Sequence, residues 1–292
     1  MRAPAKQFVK RLLNAFALEI RRILPGAPAP KPVEHLLAAL DPHFRSALLS
    51  MYRGEPQLGA DGQPHAIDNV TKVSPSEGMW LYNLCLTVKP KSTLEIGMAY
   101  GYSTLYFLAA IARNQTGHHT AVDPFQHSTW AGIGLAHANA CATAGMDSCF
   151  RFIEDRSERA ATDLARSSSS FDIILIDGNH SFDGVLVDFS LYAPLCALGG
   201  RIVFDDMWLS GVQTVVAFVR ANRADFVELP AAECNVCVFQ RVGDDLRQWD
   251  AFHRFAVARP HGWRRMISAV ASQSRGWRRA TDDARSACRG PT

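Results

Sequence analysis

Short apolar runs alternate with longer amphipathic stretches through the middle of the chain. Five runs rich in Val, Ile, Leu and Phe have the length of buried strands, and they cover residues 92–97, 119–123, 149–155, 171–177 and 200–206. Each run precedes a segment with helical spacing of its apolar residues, near 103–113, 130–144, 158–166, 182–196 and 211–222. Strands that alternate with helices through short connections predict a parallel sheet covered on both faces.

Two further strand-like runs, "DFVEL" and "NVCVFQR", follow the alternating region. The loop between them has no room for a helix, so they are expected to pair antiparallel, because a parallel crossover needs a dozen residues or more. The pattern as a whole predicts an α/β fold of the Rossmann-like, doubly wound type. Its seven-stranded sheet should be mostly parallel with an antiparallel last strand, and helices should cover both faces.

Composition divides the chain into four parts. Residues 1–32 combine a basic amphipathic helix over 5–24 with a Pro-rich linker, and residues 33–90 are expected to form a mostly helical cap. Residues 91–241 hold the predicted sheet, and residues 242–292 are an Arg-rich extension. Two interpretations of the helix over 5–24 stay open. Either it frays or packs against a partner, or it lies on an anionic membrane surface.

The net charge of +3 is unevenly distributed. Residues 1–32 carry seven Lys/Arg and one Glu, and residues 241–292 carry eleven Arg and five Asp, so each end is at +6 and the middle is at −9. An acidic central domain argues against a nucleic-acid partner. No run is long and apolar enough to span a bilayer, and seven Cys without framework spacing favour a reducing, cytoplasmic location.

A glycine-rich turn follows the first predicted strand. In "EIGMAYGYST", Gly97 and Gly101 allow close approach of a ligand to the backbone, and the helix that opens near Ser103 offers N–H groups. Asp123, after the second strand, can accept hydrogen bonds from both hydroxyls of a ribose. Asp155, after the third strand, falls where an adenine ring would lie. A dinucleotide dehydrogenase would share the ribose acid, but its G-x-G-x-x-G spacing is absent.

The stretches "SPSEGMWLYNL", "TLEIGMAYGYSTLYFL", "AVDPF" and "FDIILIDGNHSFDGVLVDFSLYAPLCALGGRIVFDDMW" resemble class I S-adenosylmethionine-dependent methyltransferases. More narrowly, the chain is similar to the metal-dependent small-molecule O-methyltransferases of the catechol, caffeoyl-coenzyme A and bacterial sugar types. The resemblance implies cofactor contacts from three groups of residues: Glu95, Gly97, Tyr100, Gly101 and Ser103 for the methionine end, Asp123 for the ribose, and Asp155, Arg156 and Ser157 for the adenine. Glu77 would either lie near the methionine amino group or cap the following helix.

Three carboxylates are expected to meet at the carboxyl ends of the fourth and fifth strands. Asp177 ends one strand, and Asp205 with Asp206 ends its neighbour. Three such acids repel one another unless a cation lies among them, and Mg²⁺ prefers oxygen ligands. In the resembled enzymes these positions hold the metal, so the resemblance implies Mg²⁺ as a second cofactor beside S-adenosylmethionine.

His180, three residues after Asp177, is a candidate general base, as is Asp177 itself. The resemblance implies methyl transfer to a hydroxyl of a small acceptor, such as a sugar or polyol. Two alternatives stay open: a metal-independent methyltransferase with His180 as base, and a non-catalytic cofactor-binding protein. Homodimers are common in the resembled group. His119 is expected to be exposed, and Asp188 to be solvated or a helix cap.

Overall fold

The computed structural model describes residues 32–68, 70–142, 149–231 and 235–257. The helix predicted over 5–24 and most of the Arg-rich extension lie outside these residues. A seven-stranded sheet lies at the centre of the described fold, after a two-stranded hairpin of β1 (Gln57–Leu58) and β2 (Pro64–His65). The strands of the large sheet are β3 (Ser92–Ile96), β4 (His118–Val122), β5 (Phe150–Ile153), β6 (Phe171–Ile176), β7 (Cys196–Phe204), β8 (Phe226–Leu229) and β9 (Cys237–Arg241).

The strand order is β5-β4-β3-β6-β7-β9-β8, and β9 runs antiparallel to both of its neighbours. The predicted fold class is therefore confirmed, including the single antiparallel last strand. The chain turns back at β3, so β4 and β5 lie on one side of it and β6 and β7 on the other. In such open sheets, ligands bind at the carboxyl ends of the strands near this switch point.

The helices of the described chain are α1 (Val33–Leu36), α2 (Pro42–Tyr52), α3 (Pro75–Val88), α4 (Tyr102–Asn114), α5 (Ile133–Ala142), α6 (Ser157–Arg166), α7 (Phe182–Tyr192) and α8 (Ser210–Asn222). Two cores form because successive strand residues point to opposite faces. Ile173 and Leu175 of β6 pack with α2 to α5, whereas Ile174 and Ile176 pack with α6 to α8. Burial on both faces explains why this strand is apolar throughout.

Helices α1, α2 and α3 lie in the segment 33–90, at the stretches "VEHLLAAL", "HFRSALLSMY" and "SEGMWLYNLCLTV" where the sequence predicts helices. Between α2 and α3 the chain forms the β1–β2 hairpin and an irregular stretch. Gly54 and Gly62 in this part adopt left-handed φ angles, which favour glycine and end helices.

Chain contacts group the described residues up to His253 into one compact unit, and a second unit begins at Arg254. Only residues 254–257 of the second unit are described. Among the described residues, no helix combines the length and the apolar character that crossing a bilayer requires.

Candidate active site

The glycine-rich turn after β3 lies directly against the end of β6. Gly97 has a φ of +93°, and a Cβ there would come within 2.3 Å of the Asp177 carbonyl oxygen. Gly101 has a φ of +85° and precedes α4, where a Cβ would lie 3.0 Å from the Cα of Gly134. Only glycine meets both demands, the left-handed conformation and the close approach. The turn therefore leaves backbone open at the switch point and starts α4 beside it.

Glu95 lies underneath this turn and is fully buried. One of its carboxylate oxygens accepts a hydrogen bond of 2.6 Å from the Ser103 hydroxyl, and the other accepts one from the Thr104 hydroxyl. Nε2 of His119 lies 3.2 Å from the same carboxylate, without the angles of a good hydrogen bond, and Nδ1 pairs with Thr93 at 2.8 Å. Glu95 and Ser103 thus hold the first turn of α4 from below.

His119 contradicts the expectation that it is exposed. Its side chain is fully buried and stacks on Phe107 with ring centroids 4.6 Å apart. The strand begins one residue earlier than predicted, at His118, which is exposed. The residues from His119 to Val122 are all buried because both faces of the sheet are covered.

Asp123 is buried at the end of β4, beside the glycine-rich turn. One carboxylate oxygen accepts from the backbone N–H groups of Met98 (3.0 Å) and Ala99 (2.8 Å), and the other accepts from Phe125 N (2.7 Å). Tyr100, also buried, meets Trp130 edge to face at 5.1 Å. These hydrogen bonds connect the end of β4 to the turn after β3.

The third strand end is more open. Asp155 accepts from the backbone N–H of Arg156, which is exposed. The Ser157 hydroxyl donates to Asp188 at 2.5 Å. Asp188 was expected to be solvated or a cap, and this is wrong: it is 2% exposed, and burial raises its pKa to about 6. The helical period of α7 turns this position toward the sheet.

The ends of β6 and β7 bring together Asp177, His180 and Asp206. Nε2 of His180 lies 3.1 Å from Asp177 Oδ1 and 3.4 Å from Asp206 Oδ2. One ligand atom from each residue falls within 4.8 Å of the others, and all three side chains are partly exposed. Asp206 takes a left-handed φ of +55°, and the Trp208 indole donates to it at 2.7 Å. The cluster is therefore accessible and held in a defined orientation.

Asp205 lies deeper than the sequence suggested and is only 5% exposed. Its Oδ1 accepts from Asn235 Nδ2 at 2.9 Å and from the backbone N–H of Asp206. Its carboxyl group also hydrogen-bonds that of Glu77. Burial, and after it the charge of Asp177, raises the pKa of Asp205 well above its ordinary value. Burial likewise raises the pKa of Glu77, so this pair retains a proton that separate surface acids would release.

Asn235 is a site residue that the sequence did not indicate. It lies between β8 and β9, and its amide spans Asp205 and Glu77, although the contacts to Glu77 are long at 3.4 and 3.5 Å. The backbone carbonyl of Asn235 also accepts from Met207 N at 2.9 Å. Asn235 reaches the site because β9 pairs antiparallel with β7. No local sequence motif predicts this position.

Comparison with known proteins agrees with this geometry. Residues 94–207 match a family of methyltransferase domains. The chain is 25% identical to flavonoid 3',5'-methyltransferase of Vitis vinifera over 176 residues, which cover 57% of this chain and 71% of that protein. It is 28% identical to caffeoyl-CoA O-methyltransferase of Stellaria longipes over 158 residues, 53% of this chain and 61% of that protein. The match thus spans less than two thirds of the Stellaria protein.

Solved structures share the fold. The methyltransferase PaMTH1 of Podospora anserina, bound to S-adenosylhomocysteine, aligns with a TM-score of 0.51 and 16% identity over 80% of this chain and 96% of that chain. The O-methyltransferase TomG of Streptomyces achromogenes, which is involved in tomaymycin synthesis, aligns with a TM-score of 0.53 and 16% identity over 72% and 95%. Residues 94–207 are thus similar to methyltransferase domains, the fold is shared with solved methyltransferases, and the relatives that the chain resembles include O-methyltransferases that use small acceptors.

Proposed function

We propose that the protein transfers the methyl group of S-adenosylmethionine to a hydroxyl group of a small-molecule acceptor. The observation that carries this proposal is the cluster of Asp177, His180 and Asp206 at the ends of β6 and β7, packed against the glycine-rich turn. A cofactor held by that turn would lie beside a group that can take a proton from an acceptor. The names of the Vitis and Stellaria relatives support transfer to oxygen.

His180 would accept the proton. In the tautomer that carries its hydrogen on Nδ1, Nε2 has a free lone pair, and an acceptor hydroxyl placed against Nε2 can pass its hydrogen to this atom. The new N–H of the imidazolium would lie 3.1 and 3.4 Å from two carboxylate oxygens, which stabilise the charge that develops. Bound in this way, the acceptor oxygen is aligned for direct displacement at the methyl carbon.

The donor set fits Mg²⁺. Asp177 and Asp206 offer accessible carboxylate oxygens at one point, and a hard divalent cation prefers such ligands. Asp205 would support them from behind, where burial, and after it the neighbouring carboxylates, raises the pKa values of Asp205 and Glu77. When bound, Mg²⁺ would supply a Lewis acid that lowers the pKa of the acceptor hydroxyl.

The cofactor would occupy the strand ends on the other side of the turn. Gly97, Gly101 and the backbone near Tyr100 would approach the methionine end, while Glu95 and Ser103 would act from beneath by holding α4. Asp123 would accept hydrogen bonds from the ribose hydroxyls. These would replace some of its hydrogen bonds from backbone N–H groups. The adenine would lie near Asp155, Arg156 and Ser157.

The decisive experiment is methyl transfer from isotopically labelled S-adenosylmethionine to a panel of hydroxylated acceptors, including sugars, polyols, flavonoids and hydroxycinnamates, followed by mass spectrometry. Product on an acceptor oxygen supports the proposal. Cofactor binding in calorimetry, with no product on any acceptor, would favour the non-catalytic alternative.

A chelator separates the metal-assisted reaction from the alternative in which His180 acts without metal. The observation that favours this alternative is the close contact of His180 Nε2 with both Asp177 and Asp206. Activity that EDTA removes and Mg²⁺ restores supports the metal-assisted reaction. Undiminished activity in EDTA would assign proton transfer to His180 and its carboxylates alone.

A further inference from the structure

The glycine-rich turn contains an alanine in a conformation that favours glycine. Ala99 has a φ of +47°, and Gly101 N closes the turn around it by donating to the Met98 carbonyl oxygen at 2.8 Å. Alanine resists this conformation because its Cβ comes too close to a neighbouring carbonyl oxygen. A residue held in this way persists only where its surroundings fix it, so the turn needs contacts that hold Ala99.

Two side chains from the segment after β4 supply these contacts. Asp123 Oδ2 accepts a hydrogen bond from Ala99 N at 2.8 Å. The side-chain amide of Gln126 donates from Nε2 to the Ala99 carbonyl oxygen at 2.6 Å. Ala99 is therefore held at its N–H group by one residue and at its carbonyl group by the other.

Gln126 is itself fixed in place. It is fully buried, and its backbone carbonyl accepts a hydrogen bond from Gly132 N at 2.7 Å. Its Oε1 has no hydrogen-bond partner within the described part of the chain. A buried amide oxygen without a partner costs free energy, so the contact of Nε2 with Ala99 has to offset this cost. The opposite orientation of the amide would place two oxygens against each other.

Helix α5 packs directly against this contact. A Cβ on Gly134, in its first turn, would lie 2.8 Å from the Ala99 carbonyl oxygen and 3.2 Å from Gln126 Oε1. A larger residue at position 134 would therefore displace one of the two groups. Gly134 leaves the space in which Gln126 reaches Ala99.

Cofactor binding would affect the two contacts of Ala99 differently. Ribose hydroxyls at Asp123 would replace some of the hydrogen bonds that this carboxylate accepts from backbone N–H groups. The Gln126 amide is fully buried and donates to the opposite side of the Ala99 residue. Gln126 would therefore still hold Ala99 when the ribose occupies Asp123.

We propose that Gln126 is a positioning residue for the cofactor. Its amide keeps Ala99 in the left-handed conformation and thereby keeps the glycine-rich turn in the form that receives the methionine end of S-adenosylmethionine. This inference rests on the cofactor site of the proposed function, and it is independent of the acceptor, the metal and His180.

Calorimetry with S-adenosylmethionine on full-length variants tests the inference. Gln126→Met retains the length of the side chain but removes the donor, so the dissociation constant should rise about tenfold, the effect of one buried hydrogen bond. Glycine adopts the left-handed conformation without a Cβ penalty. In the Ala99→Gly background the same replacement should therefore raise the dissociation constant by only about twofold or less.

Gln57→Met is the matched control. Gln57 is also buried, and its Nε2 donates to a backbone carbonyl oxygen, that of Glu55, at 2.7 Å. Its loss should lower the free energy of unfolding in urea but leave the dissociation constant for S-adenosylmethionine unchanged.

Two results would overturn the proposal: equal dissociation constants for the wild type and Gln126→Met, or the same rise in both backgrounds, which a general packing role would give. If Gln126→Met does not fold, Gln126→Met/Ala99→Gly should fold, and its failure to do so would also contradict the proposal. The expected affinities without product on any acceptor would support this inference and contradict the proposed reaction. A wild type without affinity for S-adenosylmethionine would remove the cofactor site and this inference with it.

Discussion

His180 shows how much a single side chain depends on its neighbours. The sequence places it three residues after Asp177, but only the fold brings Asp206 to its other side. An imidazole between two carboxylates gains a partner for either protonation state, because it can donate to an acid or accept from a bound hydroxyl. The same two acids are suited to Mg²⁺, so one small cluster would supply both functions that the proposed reaction needs.

Replacement of His180 by Gln tests the proposed base. Glutamine can still hydrogen-bond the acids but cannot accept a proton, so the rate of methyl transfer should fall by about 10²–10⁴-fold. The dissociation constant for S-adenosylmethionine should not change. Single-turnover kinetics and calorimetry measure the two quantities. His65→Gln is the control, because His65 also lies 3.0 Å from a carboxylate, that of Asp61, but far from the site in sequence. Equal rates in both variants would remove His180 from the reaction.

Asp188 is the residue whose ionisation should weaken the fold. Its pKa is raised from 3.8 to about 6, so the folded state holds this proton more tightly than the unfolded state does. The free energy of unfolding should therefore fall as the pH rises from about 4 to about 6, by roughly 3 kcal/mol in all.

Urea denaturation of Asp188→Asn across this pH range measures the effect. The variant should gain stability relative to the wild type as the pH rises, because its side chain cannot ionise. Asp183→Asn, an exposed position on the same helix, should follow the wild-type curve. Parallel curves for Asp188→Asn and the wild type would contradict the assignment.

At the scale of elements, the site depends on neighbouring strands that end at one level. Asp177 N donates to the Ile96 carbonyl, and Asp205 N donates to the Ile176 carbonyl, so the polar residues begin where the ladder of each strand stops. Gly97 then lets the turn after β3 pass against the end of β6. Backbone contacts between β3, Gly97 and Asp177 thus connect the glycine-rich turn to the acidic cluster.

Replacement of Gly97 by Ala tests this junction. The new Cβ would meet a carbonyl oxygen at 2.3 Å, so the turn must move, and cofactor affinity and stability should both fall. Gly62→Ala is the matched control, since Gly62 also has a positive φ, +71°, but nothing within 4 Å of its Cβ. It should cost only the backbone strain, about 1–2 kcal/mol. Calorimetry and urea denaturation compare them, and equal losses of affinity would contradict the close packing.

At the scale of the whole molecule, the two ends of the sheet carry different chemistry. The carboxyl ends of the parallel strands gather acids and glycines, whereas the amino end carries exposed apolar residues and paired Arg and Asp residues. The separation follows from topology, because every parallel strand points its carboxyl end to the same edge.

Metal binding should be visible in the stability of the whole chain. A ligand that binds only the folded state adds about 2.7 kcal/mol at a concentration 100-fold above its dissociation constant. The melting temperature should therefore rise in Mg²⁺ relative to EDTA, and Asp177→Asn and Asp206→Asn should remove the rise. Asp163→Asn, an exposed acid in α6, should retain it. A wild-type melting temperature that is the same in Mg²⁺ and in EDTA would speak against the metal site.

Much of the fold could be predicted because its signals are local. The runs at 92–97 and 171–177 have the length and the composition of buried strands, and the gap between "DFVEL" and "NVCVFQR" excludes a parallel crossover. The exception has a physical reason as well. His119 was expected to be exposed, but its strand is covered on both faces of the sheet, so the residue is buried.

The sequence alone determined which residues lie at the strand ends, because an acid or a glycine that follows an apolar run can be read directly from the linear sequence. Only the tertiary structure decided how they share the site. Asp177 and Asp206 meet at His180, whereas Asp205 turns inward to Glu77 and Asn235. These partners are separated by as many as 158 positions. Contacts at such separation arise from strand order and register, and no local pattern of residues encodes their distances.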